Sequence, residues 1–202
     1  MPDPLQNPAT TAADDASGNS YAYKASLIGA AHQFELTDEG LSWRIAGRSG
    51  VWPYTEINIV RLSYRPVSMQ SRRFRADIGR SGGTRIAILS TSWQSASLMA
   101  PQDRDYRVFI TALHARMAQA GSQATLLGGL RPRVYAAAIG LLVLVAIAIS
   151  GLMVRAIATG EFSGALFLVG FAALFAWQVG GFVMRNRPLM YAFDHLPKAL
   201  LP

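Results

Sequence analysis

Residues 134–154 read VYAAAIGLLVLVAIAISGLMV and residues 162–184 read FSGALFLVGFAALFAWQVGGFVM. These runs of 21 and 23 residues contain no charged side chain. At the α-helical rise they reach about 31 and 34 Å, against a hydrocarbon core of about 30 Å. In lipid such a run satisfies its own backbone only as a helix. The alternative, a buried helix of a soluble protein, fails on size, because a chain of 202 residues is too small to wrap two such helices in succession. Only Arg155 to Glu161, RAIATGE, separates the runs, so they predict an antiparallel transmembrane hairpin with both outer ends on one side. Arg131 and Arg133 precede the first helix and Arg185 and Arg187 follow the second, whereas the short loop carries one basic residue, Arg155. The positive-inside rule then puts the outer ends, and both termini, in the cytoplasm.

No Asp, Glu, Lys, Arg or His interrupts either run, which argues against an ion pathway through the hairpin alone. Gln178 is the one strongly polar side chain deep in the second run and reads as a helix–helix hydrogen bond. Small residues four apart suggest close packing: Ala136 with Gly140, Ala146 with Ser150, and a ladder of Ala172, Ala176 and Gly180.

Outward from the hairpin the composition changes. Residues 1–20 are polar with a charge of −3, and read as a disordered tail without the basic and apolar regions of a signal peptide. Residues 21–130 are an ordinary globular mix of charge +6, and residues 131–202 carry +4. Only Lys24 and Lys198 are lysines, so the basic balance is arginine, a residue that meets phosphate bidentately. The chain has no cysteine, which excludes disulfides, thiol catalysis and thiolate metal sites.

Between residues 21 and 120 the pattern is first β and then helical. His32 to Thr37 and Leu41 to Ile45 alternate about the turn Asp38-Glu-Gly40, which makes a hairpin. Gly47-Arg-Ser-Gly50 turns the chain again. Ile57 to Tyr64 is a strand with a slip in parity that suggests a bulge, and Met69 to Ile78 and Thr84 to Ser90 are further strands about the turn Gly79–Gly83. Tyr106, Phe109, Ile110, Leu113 and Met117 then fall at helical spacing, predicting an amphipathic helix over Asp103–Gln119. Residues 121–133 read as a linker. Residues 185–202, interrupted by Pro188, Pro197 and Pro202, read as a cytosolic tail that lies along the membrane interface or folds back on the globular domain.

The stretches Phe34-Glu-Leu-Thr-Asp-Glu-Gly-Leu41 and Trp52-Pro-Tyr-Thr-Glu-Ile57, with the closing helix, resemble the small bacterial membrane proteins in which a pleckstrin-homology-like domain is joined to a transmembrane hairpin. The likeness spans residues 30–118, roughly. It implies an α+β fold, an antiparallel β half-barrel closed by one C-terminal helix, at the bacterial inner membrane. Tyr21 to Leu27 offers a further strand.

Arg61, Arg65, Arg72, Arg73, Arg75, Arg80 and Arg85 form the densest charge feature, opposed only by Asp77. Strand alternation puts Arg61, Ser63 and Arg65 on one face, and Arg73, Arg75 and Asp77 on another. Such a face is either simply solvated or meets anionic lipid head groups, each basic residue contributing about 1 kcal/mol near the surface. Nucleic-acid binding has no recognised motif behind it. His32, His114 and His195 lack metal-ligand spacing, and His114 is expected partly packed or solvent-facing. No nucleophile elbow occurs, and Gly47–Gly50 and Gly79–Gly83 read as hairpin turns rather than phosphate loops. Trp43, Trp52 and Trp93 read as anchors of the β core or its rim. The expectation is therefore a non-enzymatic adaptor, without catalytic, cofactor or metal residues, that binds the bilayer and an unidentified protein partner. The alternative is an accessory subunit of a membrane transporter or enzyme complex, assembled through the hairpin.

Overall fold

The computed structural model describes residues 18–66, 72–95 and 98–202. Four strands form the first antiparallel sheet in sequence order: β1 (Ser20–Tyr23), β2 (His32–Leu36), β3 (Leu41–Ile45) and β4 (Arg48–Trp52). In the turn between β2 and β3, Gly40 has φ +151°, and a Cβ there would strike the Trp52 carbonyl. The next turn is shorter than the glycines suggest. Ala46 and Gly47, at φ 48° and 78°, reverse the chain, and Arg48 already pairs with Ile45. Two positive φ values in a two-residue loop match the twist of the flanking strands. Gly50 serves packing instead, since a Cβ there would sit 3.1 Å from the Trp43 indole.

The second sheet has the order β11-β10-β5-β6-β7, built from β5 (Ile57–Tyr64), β6 (Phe74–Arg80), β7 (Arg85–Leu89), β10 (Thr125–Gly128) and β11 (Leu189–Met190). The register of β5 on β6 shifts between Ile57 and Ile59, which is the bulge that the parity slip implies. The strand expected from Met69 begins at Phe74; residues 69–71 lie outside the described residues, as does the tail up to residue 17. A two-stranded sheet, β8 (Thr91–Trp93) with β9 (Met99–Pro101), follows β7. The two larger sheets do not close into a barrel. At the outer edge of β7 the Tyr23 and Tyr21 hydroxyls donate to the carbonyls of Ala87 and Leu89, each at 2.6 Å. Side chains thus satisfy an edge that a backbone ladder would otherwise cover.

Helix α1 (Asp103–Gln119) has the bounds that its periodicity predicts, and buries Tyr106, Phe109, Ile110, Leu113, His114 and Met117 against both sheets' apolar side. The stretch read as a linker contains β10, which pairs parallel with β5. Its alternation was too short to stand out beside the apolar run that follows. The residues after the second long helix fold back on the globular unit, the second of the two expectations for them. Leu200 is fully buried in its core, with Tyr191, Phe193, Leu196 and Leu201 packed around it. The globular unit therefore comprises residues up to Gly128 together with Met190–Pro202, and the intervening segment is an insertion.

That inserted unit, residues 129–189, is a hairpin of α2 (Pro132–Ala158) and α3 (Phe162–Arg185). Both helices are long and apolar enough to cross a membrane, and their apolar windows are only 0% and 6% buried. At the base Leu130 N–H donates to the Asn186 carbonyl (2.9 Å), and a Cβ on Gly129 would strike that same backbone. The half-buried positions on α2 include Tyr135, Ala138, Leu142, Val145, Ile149, Met153 and Ala156; on α3 they include Ala165, Leu168, Ala172, Phe175 and Val179. Steps of three and four mark the seam of a left-handed helix pair. Ala172 belongs to it and Gly180 lies half-buried beside it, but Ala176, Ala136, Gly140, Ala146 and Ser150 are exposed. A strict spacing of four drifts around the helix by about 40° per step, so a ladder of small residues cannot follow one seam for long.

Candidate functional site

The β5–β6–β7 register assembles the basic residues into a grid. Arg61 lies opposite Asp77, which lies opposite Ala87; Ser63 lies opposite Arg75, which lies opposite Leu89; Gly79 lies opposite Arg85. Arg61, Arg75 and Arg85 therefore share the face turned away from the core, while Val60, Leu62, Ala76, Ile78, Ile86 and Ile88 fill the other. Asp77 stands near the centre. Arg75 donates to it twice, from Nε at 2.8 Å and Nη2 at 2.6 Å. Ser63 is buried on this face, with no hydrogen-bond partner for its hydroxyl among the described residues.

Several of these arginines have structural work. Besides Arg75, Arg73 donates from Nε to Thr91 Oγ1 (3.1 Å) and from Nη2 to Met99 Sδ (3.3 Å), which pins the β8–β9 hairpin. Arg80 pairs with Glu56 at the opposite end of β6. Arg61 is half-buried beside Asp77. Arg65, Arg72 and Arg85 are exposed. Arg65 and Arg72 flank the β5–β6 turn, whereas Arg85 lies at the other end, about 20 Å away by the strand rise. The structure thus joins part of the arginine cluster into one face and sends the rest to opposite ends.

His114 is fully buried rather than partly packed or solvent-facing, because the tail covers the outer flank of α1. Its Nδ1–H donates to the Ile110 carbonyl (2.7 Å), a pure acceptor, so in the neutral ring Nε2 accepts from the Tyr191 hydroxyl (3.0 Å). Phe193 packs edge-on to the imidazole. Burial lowers the His114 pKa below the usual histidine value, offset in part by the Ile110 hydrogen bond, and raises that of Tyr191. Helical periodicity had suggested His114 could pack; nothing in the sequence tied it to a residue 77 positions on.

No cluster of three His, Asp or Glu able to hold a metal occurs among the described residues. A cleft of about 500 Å³ lies between β1 and the start of α1, lined by Tyr21, Gln102, Arg104, Asp105 and Val108 among others. Its lining carries one basic and one acidic side chain, Arg104 and Asp105. Comparison with protein-family models, curated proteins and solved structures gives no match.

Proposed function

We propose that the chain is a membrane-anchored, non-enzymatic scaffold or regulatory module. On this reading α2 and α3 span a bacterial inner membrane, and the globular unit, of pleckstrin-homology-like type, stands on the cytoplasmic side with its basic face oriented on anionic lipid. The observation that carries it is the pair of long helices whose apolar windows are 0% and 6% buried. Their side chains would cost about 25 cal/mol for each Å² left in water, a cost that acyl chains remove. Two largely antiparallel sheets with one helix against them support the domain type, and the arginines at the outer helix ends support the orientation. The test is alkaline carbonate extraction joined to proteolysis of spheroplasts. The chain stays with the membrane pellet and external protease spares the globular unit. Extraction into the supernatant refutes the anchor; digestion from outside refutes the orientation.

The accessory-subunit reading has one observation in its favour. Ala136, Gly140 and Ala176 point away from the α2–α3 seam, leaving small surfaces for a neighbouring helix. Purification in a mild detergent, followed by mass analysis, separates the two readings: a stoichiometric partner lost on Gly140→Leu and Ala176→Leu favours the subunit.

A further inference from the structure

The two larger sheets end on β1, β4, β7 and β11, and a bare strand edge is a template for another chain unless something blunts it. All but one of these edges are dealt with inside the globular unit. The end of β1 is tied to β8, where Lys24 N–H donates to Ser92 Oγ (3.0 Å) and Trp93 N–H donates to the Lys24 carbonyl (3.1 Å). The Tyr21 and Tyr23 hydroxyls occupy carbonyls of β7, and β11 is only two residues long. Strand β4, Arg48-Ser-Gly-Val-Trp52, is five residues long and has no such cover among the described residues.

The tight loop before β4 fixes which backbone groups that edge presents. Ile45 and Arg48 close the loop as a hydrogen-bonded pair. By the alternation of an antiparallel ladder, Trp43 with Gly50 and Leu41 with Trp52 are bonded pairs as well. The N–H and C=O groups of Ser49 and Val51 therefore point away from β3. Neither residue makes a hydrogen bond outside the ladder among the described residues. The usual edge devices are missing. The register runs from Leu41–Trp52 to Ile45–Arg48 without a bulge, the strand holds no Lys or Pro, and its one charge, Arg48, stands at the loop end. Val51 is 42% exposed. Gly50 is covered from the inner side by the Trp43 indole, the kind of aromatic cover that keeps a glycine in an edge strand.

We propose that β4 is a homodimer interface, in which the strand pairs antiparallel with β4 of a second copy about a two-fold axis at Gly50. This register sets Ser49 opposite Val51 of the other copy, so every outward N–H and C=O of both strands is used. Moving the axis to Ser49 puts Val51 opposite the loop residue Gly47. Moving it to Val51 puts Ser49 opposite Pro53, which has no N–H to give. The edge is thus self-complementary about Gly50, as a two-fold interface requires. Its charges agree: each Arg48 comes opposite Trp52 of the other copy, and the two Arg48 positions lie about 14 Å apart by the strand rise. Like charges therefore do not meet, and the first sheets of the two copies join into one. The pairing goes beyond the scaffold reading and does not depend on whether α2 and α3 cross a membrane.

The absence of native cysteine allows the register to be tested on the full chain in detergent. Ser49→Cys and Val51→Cys are made as separate variants and oxidised alone and after mixing, with Ser81→Cys, exposed in the β6–β7 turn, as the control partner. Across the proposed bonded pair the Cα atoms of positions 49 and 51 are about 5.5 Å apart, within reach of a disulfide. Position 49 with its own copy, and 51 with its own, are diagonal neighbours at about 7–8 Å, beyond that reach. The disulfide-linked dimer in the mixture therefore exceeds that of either variant alone by about fivefold or more. Sedimentation of the cysteine-free chain gives a second reading: a concentration-dependent dimer that Val51→Lys abolishes with Tm unchanged, because two lysines would then stand diagonally across the pair. A mixture linked no more than its Ser81→Cys control, or linked equally at 49 alone, 51 alone and mixed, overturns the proposal. So does a chain that stays monomeric, or a dimer that survives Val51→Lys and is therefore held elsewhere. Carbonate extraction reads the anchor alone, so the two proposals fail separately.

Discussion

Leu200→Ala tests whether the residues after the apolar hairpin belong to the globular core. Leu200 is 0% exposed and lies among core residues drawn from the first 128 positions. Truncating a fully buried leucine removes its transfer free energy and leaves a cavity, together about 3 kcal/mol within a range of 2–5. For a unit of this size the loss lowers Tm by roughly 10 °C. Of the four tryptophans, Trp177 is on α3 and 80% exposed. A Trp177→Phe background therefore confines the emission signal to Trp43, Trp52 and Trp93 of the globular unit. Thermal unfolding of the full chain in detergent, followed by that emission, then reads the core alone. Met190→Ala is the control, because Met190 is 75% exposed and surface truncations stay within about 0.5 kcal/mol. A Leu200→Ala shift below about 2 °C would mean that the tail only rests on the surface, and the insertion topology would be wrong.

Two more outcomes follow from buried groups. His114 has a depressed pKa in the folded chain, so the unfolded state binds the proton more readily. Its contribution to stability is complete above about pH 6.5 and is lost as pH falls through the folded value; denaturant titrations between pH 7 and 5 should show that slope, and His114→Gln should flatten it apart from the share due to His32, whose pKa is also lowered by burial. Gly40→Ala places a methyl group against the Trp52 carbonyl at a φ that L side chains rarely adopt, and should cost about 1–3 kcal/mol in the same titration; an effect near zero would refute the crowding argument.

What could be read without coordinates divides by range. The long apolar helices and α1 carry their information locally, in run length and in a period near four; α1 and α3 have nearly the expected bounds, while α2 starts two residues before its charge-free run and continues through Arg155 to Ala158. Strand β5 and its bulge were legible for the same reason, from alternation over Ile57–Tyr64. The five-residue strands β2, β3 and β7 were legible in the same way, whereas β4, β8, β9 and β10 were not. Gly50 looked like a turn residue because nothing local says that Trp43 lies over it. The joining of β10 to β5, and of Tyr191 to His114, depends on segments far apart along the chain, and no periodicity records such a partner. At the candidate site the alternation within β5 and β6 put Arg61 and Arg75 on their strands' outer sides, but it did not place Arg85 on that face or Arg65 at the turn. It could not show that Arg73, Arg75 and Arg80 are held by neighbours.

The interrupted core bears on how the chain matures at the ribosome. Strands β1 to β10 emerge before the hairpin, yet Tyr191 and Leu200 emerge after it. Until they do, the pocket around His114 and Met117 lacks its final wall. On the proposed reading of α2 and α3 as membrane spans, the two apolar helices reach the bilayer while the nascent β unit is still incomplete, and native closure follows insertion. On that reading, a defect in membrane delivery surfaces as misfolding of the globular unit.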